Sequence, residues 1–433
     1  MSRRSLLLTL TLTLLLALTL LAACGQGELR LKHSHDLTAK LSPEVVIPGL
    51  DAVPPALSRE VAVSLSGLGL GLLRENYQPG GNALVSPVSV AAALSLVVLG
   101  AREDSLSQME EALDLSWEDL NGFMTVYLQD LQQQAKANPQ QNAAGLNMAN
   151  AVWFREGPDF TPDPGFLQLA ADTAQAGVYS APFDQTTVDE VNQWVGHHTQ
   201  GMINQLLDEL TPDDVLLLVN ALAFEADWQS VYEPAQIHEE LFHPADGPAQ
   251  PVRLMYSQEA VYIEDAQACG FIKPYAGGDY AFVAILPQEG LALGDYLAGL
   301  DGVELQELLQ TQQQARVDAA LPQFEGEYQA QLSQALAALG MSDVFDSQRA
   351  DLSGLGHSEL GPLYISRVLH KTRIQVDGQG TKAAAATLVD VAVTESAMEE
   401  PQAKTVRLDR PFIYLLLDCR TNLPLFIGAA ETM

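Results

Sequence analysis

Three short, uninterrupted apolar runs constrain the fold of this chain more than any other feature: LLLVNALAF (216–224), YAFVAILP (280–287) and PFIYLLL (411–417). Runs of this kind belong to strands covered on both faces. Helical stripes lie between them. Val61, Leu65, Leu68 and Leu72 share one face of a helix expected from Ser58 onward. AAALSLVVLG, ending at Gly100, is apolar nearly all round and reads as a buried helix. Asp189 to Leu210 also reads as helical, with Val191, Trp194 and Val195 on one face. Leu332, Leu336 and Leu339 form a further stripe that Gly340 stops. LYISRVLHKTRIQVDG (363–378) alternates in part and ends in turn residues. Helices dominate early, strands of antiparallel character crowd late, and no internal repeat is visible. The expected class is α+β, in one large domain over 58–433.

Composition narrows the partners. The chain has 433 residues, 47% hydrophobic and 18% charged, enough to bury a sizeable core. Its 55 acidic residues outnumber 22 basic ones, for a formal charge of −33. Such a surface repels phosphates and anionic lipid headgroups, so no nucleic-acid partner is expected.

The N-terminus is a separate object. Arg3 and Arg4 precede an apolar stretch that ends at Leu21-Ala22-Ala23-Cys24, the anatomy of a secretory signal. The last four residues resemble the lipobox of bacterial lipoproteins, which implies a signal peptide over 1–23 and lipid attachment at Cys24. Residues 24–57 carry Pro43, Pro48, Pro54 and Pro55 with little periodicity and read as a lipid-anchored tether. The expected location is extracytoplasmic, on a membrane, the cell surface or in the extracellular space. Two cysteines then remain, Cys269 and Cys419. Their spacing fits no zinc motif, and the sequence leaves both a disulfide and two buried free thiols open.

Enzyme signatures are missing from the sequence. HEELF at His238 fails H-E-x-x-H because Phe242 stands where the second histidine belongs. No G-x-S-x-G, phosphate-binding loop or C-x-x-C occurs. The adjacent pair His197-His198 falls on different faces of a helix, and His33 and His35 lie in the tether. No metal, cofactor or catalytic residue is expected.

One segment resists a helical reading. GQGTKAAAATLVDVAVT (378–394) joins four alanines to a β-branched run. At a period of two, one face carries Thr381, Ala383, Ala385, Thr387, Val389, Val391 and Val393. The other carries Lys382, Ala384, Ala386, Leu388, Asp390, Ala392 and Thr394. The first face is uniformly small or β-branched and both charges fall on the second, as a strand with one face on a core requires.

VLHKTRIQVDGQGTKAAAAT (368–387) closely resembles the hinge of the serpins, the serine-protease-inhibitor superfamily. Further segments match in family order: LVSPVSVAAALSLVVLGA (84–101), LNMANAVWF (146–154), VNQWVGHHTQGMI (191–203), LVNALAFEADW (218–228), LPQF (321–324), RPFIYLL (410–416) and PLFIGAA (424–430). The resemblance implies three β-sheets surrounded by helices, with an exposed reactive-centre loop over about 378–409. It implies a suicide-substrate inhibitor of a serine protease, with cysteine proteases a second class. The loop is cleaved and its hinge side inserts into the largest sheet. It further implies a shutter at Ser86, Ser89, Asn220 and His370, a breach at Trp228, and a hinge comprising Gly378, Gly380, Thr381, Lys382, Ala383, Ala384, Ala385, Ala386 and Thr387. A monomer is expected.

Two positions depart from the pattern. Gly378 and Lys382 stand where inhibitory members usually carry glutamate, which leaves a non-inhibitory binding or storage role as the alternative. Counted at family spacing, the scissile bond is Thr394–Glu395, give or take one residue, with Met398 second. A small residue before the bond suits an elastase-like or subtilisin-like pocket.

Overall fold

The structure, a computed structural model, describes residues 29–137, 145–157, 160–174, 177–359, 361–381 and 403–433. The first half contains β1 (His35–Asp36), α1 (Pro55–Asn76), β2 (Ala83–Val85), α2 (Pro87–Val98), α3 (Glu103–Leu113), α4 (Trp117–Ala137), β3 (Gly145–Arg155), β4 (Phe160–Pro162), α5 (Pro164–Leu169), β5 (Gly177–Ala181) and α6 (Gln185–His198). Then come β6 (Leu216–Asp227), β7 (Ile237–Phe242), β8 (Gln250–Glu264), β9 (Ala268–Pro274), β10 (Tyr280–Pro287), α7 (Leu293–Ala298), α8 (Gly302–Gln310), β11 (Gln313–Pro322), β12 (Phe324–Gln331) and α9 (Ser333–Ala338). The chain closes with β13 (Gly356–Ser358), β14 (Arg367–Val376), β15 (Gly380–Thr381), β16 (Lys404–Arg407), β17 (Phe412–Asp418) and β18 (Leu423–Ala430).

The main sheet has seven strands in the order β1-β5-β3-β6-β15-β14-β12. A second sheet has nine strands, in the order β16-β11-β8-β9-β10-β17-β18-β2 with β7 hydrogen-bonded to β8. The long strand β8 is common to two halves of that assembly, which gives the three-sheet α+β architecture; β4 and β13 add a small ribbon. The three apolar runs are β6, β10 and β17, and every residue of β10 and β17 is buried. All residues of helix α2 are buried too, and it packs against β3, β6 and β18. A helix apolar all round has to be buried, and this one finds its cover between the main sheet and β18 of the nine-stranded one. Helix α1 closes on α8 at a glycine contact: a β-carbon on Gly302 would lie 2.3 Å from the Val63 carbonyl oxygen and 2.7 Å from the Gly67 nitrogen.

Several boundaries differ from the sequence reading. Helix α1 starts at Pro55 rather than Ser58, because proline is well suited to a first turn whose N–H groups have no helical partner. The helix expected over 189–210 stops at His198: Gln200 (φ 54°) and Gly201 (φ 80°) turn left-handed. The stripe continued because Ile203, Leu206 and Leu207 are buried without a helix, held by Asn192 Oδ1 accepting from Leu206 N (2.7 Å) and Leu207 N (2.9 Å).

The segment read as a tether is laid on the body from Leu29 onward. His35 and Asp36 pair with Ser180 and Tyr179 at the sheet edge, and the Glu190 carboxylate accepts from the amides of Lys32, His33 and Ser34 at 2.6, 2.9 and 2.8 Å. Those bonds hold Glu190 below the usual carboxylate range despite its partial burial. Edge pairing needs no sequence periodicity, which is why the sequence did not show it. The two thiols are free, and Cys419 is exposed rather than buried. Cys269 sits opposite Leu286 and Cys419 follows Asp418, which sits opposite Tyr280, so they flank opposite ends of β10. That is on the order of 20 Å, far beyond disulfide reach.

Candidate functional site

The main sheet contains a slit. Strands β6 and β14 pair in parallel from Leu217↔Arg367 to Ala223↔Arg373. Beyond that point they part, and β15 lies between them, antiparallel to both, with Gly380 opposite Asp227 and Thr381 opposite both Ala226 and Val376. Thr381 is completely buried. Gly380 is required by the close approach: a β-carbon there would lie 2.0 Å from the Ala226 carbonyl oxygen.

Asn150, Asn220 and His370 form one rung across three neighbouring strands, since Asn150 is the register partner of Asn220 and Asn220 of His370. The Asn220 amide donates to Asn150 Oδ1 (2.8 Å) and to the Ser89 carbonyl oxygen, while its Oδ1 pairs with His370 Nδ1 at 2.6 Å. His370 Nε2 accepts from the Ser86 amide at 3.2 Å. These roles make Nδ1 the protonated nitrogen of a neutral ring. Burial lowers the His370 pKa to about 3, so the ring is neutral at physiological pH. The Asn220–His370 bond spans the β6–β14 boundary, and any strand entering there must break it.

The two serines act less as hydroxyls than as main chain. Ser86 Oγ caps α2 by accepting from Ser89 N, and Ser89 serves through its carbonyl; its own hydroxyl has no partner among the described residues. Asn150 was missed in the sequence, although it interrupts the apolar run LNMANAVWF as Asn220 interrupts LLLVNALAF. A lone amide inside a buried strand must be hydrogen-bonded, and that was the available signal.

Above the rung, the turn from Asp377 to Gly380 is bound to the end of β6. Trp228 N donates to the Gln379 carbonyl and Trp228 Nε1 to the Asp377 carbonyl, both at 2.8 Å; Tyr232 N donates to the Gly378 carbonyl at 2.8 Å. Trp228 stacks on Tyr275 with centroids 4.4 Å apart, and the Tyr275 hydroxyl shares a 2.7 Å hydrogen bond with Thr381 Oγ1. Lys273, itself buried, bonds to Glu259 at 2.8 Å with its ammonium 4.5 Å from the Tyr232 ring centroid. Asp227 is pushed up by burial and by neighbouring Asp377. A side chain at Gly378 would face Ile237, Tyr232 and Gln323.

The remaining expected residues do not join this site. Lys382 to Thr387, Thr394, Glu395, Met398 and Cys24 lie outside the described residues. The HEELF stretch is strand β7, whereas H-E-x-x-H chemistry needs a helix. His198 lies tilted against the Trp194 ring, with centroids 4.2 Å apart, and bonds to the Trp194 carbonyl. Among the described residues no group of three or more His, Cys, Asp or Glu could hold a metal.

Residues 65–432 match the model of the serpin (serine protease inhibitor) family. The chain belongs to the serpin family. It is 31% identical to a leukocyte elastase inhibitor from Bos taurus, over 83% of this chain and 95% of that protein. The native-state structure of tengpin, a thermophilic serpin, superposes with a TM-score of 0.83 at 39% identity, covering 93% of this chain and 100% of that one. The latent-state tengpin structure matches at 0.74 and 40%, covering 86% and 98%. Serpins as a family are inhibitors of proteases rather than proteases, and the slit between β6 and β14 is a feature of the seven-stranded main sheet of this serpin.

Proposed function

We propose that this serpin is a suicide-substrate inhibitor of a serine protease, with cysteine proteases the second target class. The protease cleaves the loop after the hinge, and the hinge side then fills the slit while the acylated protease is carried along. One observation carries the reading: Thr381, the first small residue of the hinge, is buried between β6 and β14 and antiparallel to both. Continuing that strand exchanges one parallel ladder for two antiparallel ones, which pair slightly more strongly. The alternation that follows Thr381 supplies small residues to the covered face.

Thr394–Glu395 is the proposed reactive bond, with Met398 second, and an elastase-like or subtilisin-like enzyme the target. The name of the Bos taurus relative agrees with that class. Lipid on Cys24 would tether the monomer outside the cytoplasm. Gly378 and Lys382 motivate the second reading, a serpin that binds or stores without inhibiting. Incubation with an elastase-like protease separates the two. Inhibition gives a complex that survives denaturing electrophoresis and releases a peptide starting at Glu395. Cleavage without trapping rejects it.

A further inference from the structure

Tyr275 lies in no segment that the sequence singled out, yet its side chain reaches the hinge. It follows β9 by one residue, is fully buried, and its ring lies nearly parallel to Trp228, at an interplanar angle of 11°. Phe224 packs edge-on against the Tyr275 ring, with centroids 5.1 Å apart. The ring is therefore fixed, and its hydroxyl points at a single hinge atom, Thr381 Oγ1. Both hydroxyls are buried and are each other's hydrogen-bond partner. The main-chain bonds from Trp228 and Tyr232 hold the turn at 377–379 and the β15 ladder pairs Gly380 and Thr381 with β6 and β14, so the hydroxyl pair is what the side chains add at Thr381.

We propose that the Tyr275 hydroxyl is a latch that keeps Thr381 docked between β6 and β14 in the uncleaved chain, so that insertion starts from a rung already made. Tyr275 is then a positioning residue: it touches neither the protease nor the reactive bond, and acts through Thr381. Undocking carries the Thr381 hydroxyl into water but strips the Tyr275 hydroxyl of its partner, so a docked hinge is favoured as long as both are present. Once the loop is cut, insertion competes with hydrolysis of the acyl link, and a hinge that must first dock loses time. The kinetic consequence rests on the inhibitory reading above; the docking itself does not.

The test uses the full chain with Tyr275→Phe, which keeps the ring on Trp228, and with Thr381→Val, which removes the same bond from the other side should the first variant fail to fold. Hydrogen exchange at Gly380 and Thr381 reports docking without any protease, and the ratio of cleaved to trapped inhibitor reports insertion. Each variant is expected to raise both quantities about tenfold, equivalent to ~1.4 kcal/mol. The double variant should add nothing further, and Thr381→Ser should behave as the parent. Unchanged exchange at 380–381, or effects of the two substitutions that multiply, overturns the latch. If the parent traps no protease, the inhibitory reading fails, and the exchange measurement still decides the latch.

Discussion

Acidification should weaken this fold through His370. Its pKa in the folded chain is about 3 because the ring is buried, against about 6.5 for an ordinary histidine. The folded state therefore holds the ring neutral, while the unfolded chain takes up a proton once the pH falls below about 6.5. The stability contributed by the neutral ring is complete above that pH and is lost at about 1.4 kcal/mol per pH unit as the pH falls toward 3. Between pH 7.5 and 4.5 the loss is about 2.7 kcal/mol. A protonated Nε2 would also face the Ser86 N–H, donor against donor. Many carboxylates titrate in the same range, so the informative quantity is the difference from His370→Gln, whose amide can still donate to Asn220 and accept from Ser86. Urea titrations of both proteins at intervals from pH 7.5 to 4.5 give that difference. The parent should lose about 2–3 kcal/mol more than the variant. Parallel losses would show that the imidazole is not held neutral by this rung.

Thr381→Arg should turn the inhibitor into a substrate: burying an unpaired guanidinium costs several kcal/mol, whereas slowing insertion tenfold needs only about 1.4. The moles consumed per mole of protease silenced should rise steeply, while Lys382→Glu, on the outward face of the alternating pattern, should leave that number near the parent's. Lys273→Met strands the buried Glu259 carboxylate and should cost about 3–5 kcal/mol in urea unfolding. Adding Glu259→Leu should recover most of that loss. If Cys24 carries lipid, Cys24→Ser should move the protein from the membrane fraction to the soluble fraction; equal solubility of the two would exclude the anchor.

Much of the architecture was legible because burial wrote it into the residues. The runs that became β6, β10 and β17 could be read from continuous hydrophobicity, and α2 from being apolar on every side. Burial without regular structure misled the same reasoning at 203–207, where Ile203, Leu206 and Leu207 mimic a helical stripe. Contacts made by main chain left no trace in the sequence at all, as in the strap at 32–36 and the role of Ser89. In the candidate site, Asn220 and His370 were named by the resemblance to the family's shutter, and only Asn220, inside an apolar run, carries a signal of its own. Tyr275 carries none, because an aromatic beside a strand end is ordinary until a distant hydroxyl is brought to it. The hinge alternation was readable as far as its small face, and Thr381 alone of that face falls within the described residues.

Whether the hinge fills the slit is measured most directly by comparing the intact chain with the same chain cut once in its reactive loop, by heat unfolding and by hydrogen exchange in β6 and β14. Insertion replaces the parallel pairing of 217–223 with 367–373 by two new antiparallel ladders. The cut chain should then unfold at a clearly higher temperature, with slower exchange along both strands. A cut chain that unfolds at or below the temperature of the intact one, with β6 and β14 exchanging as before, would contradict insertion.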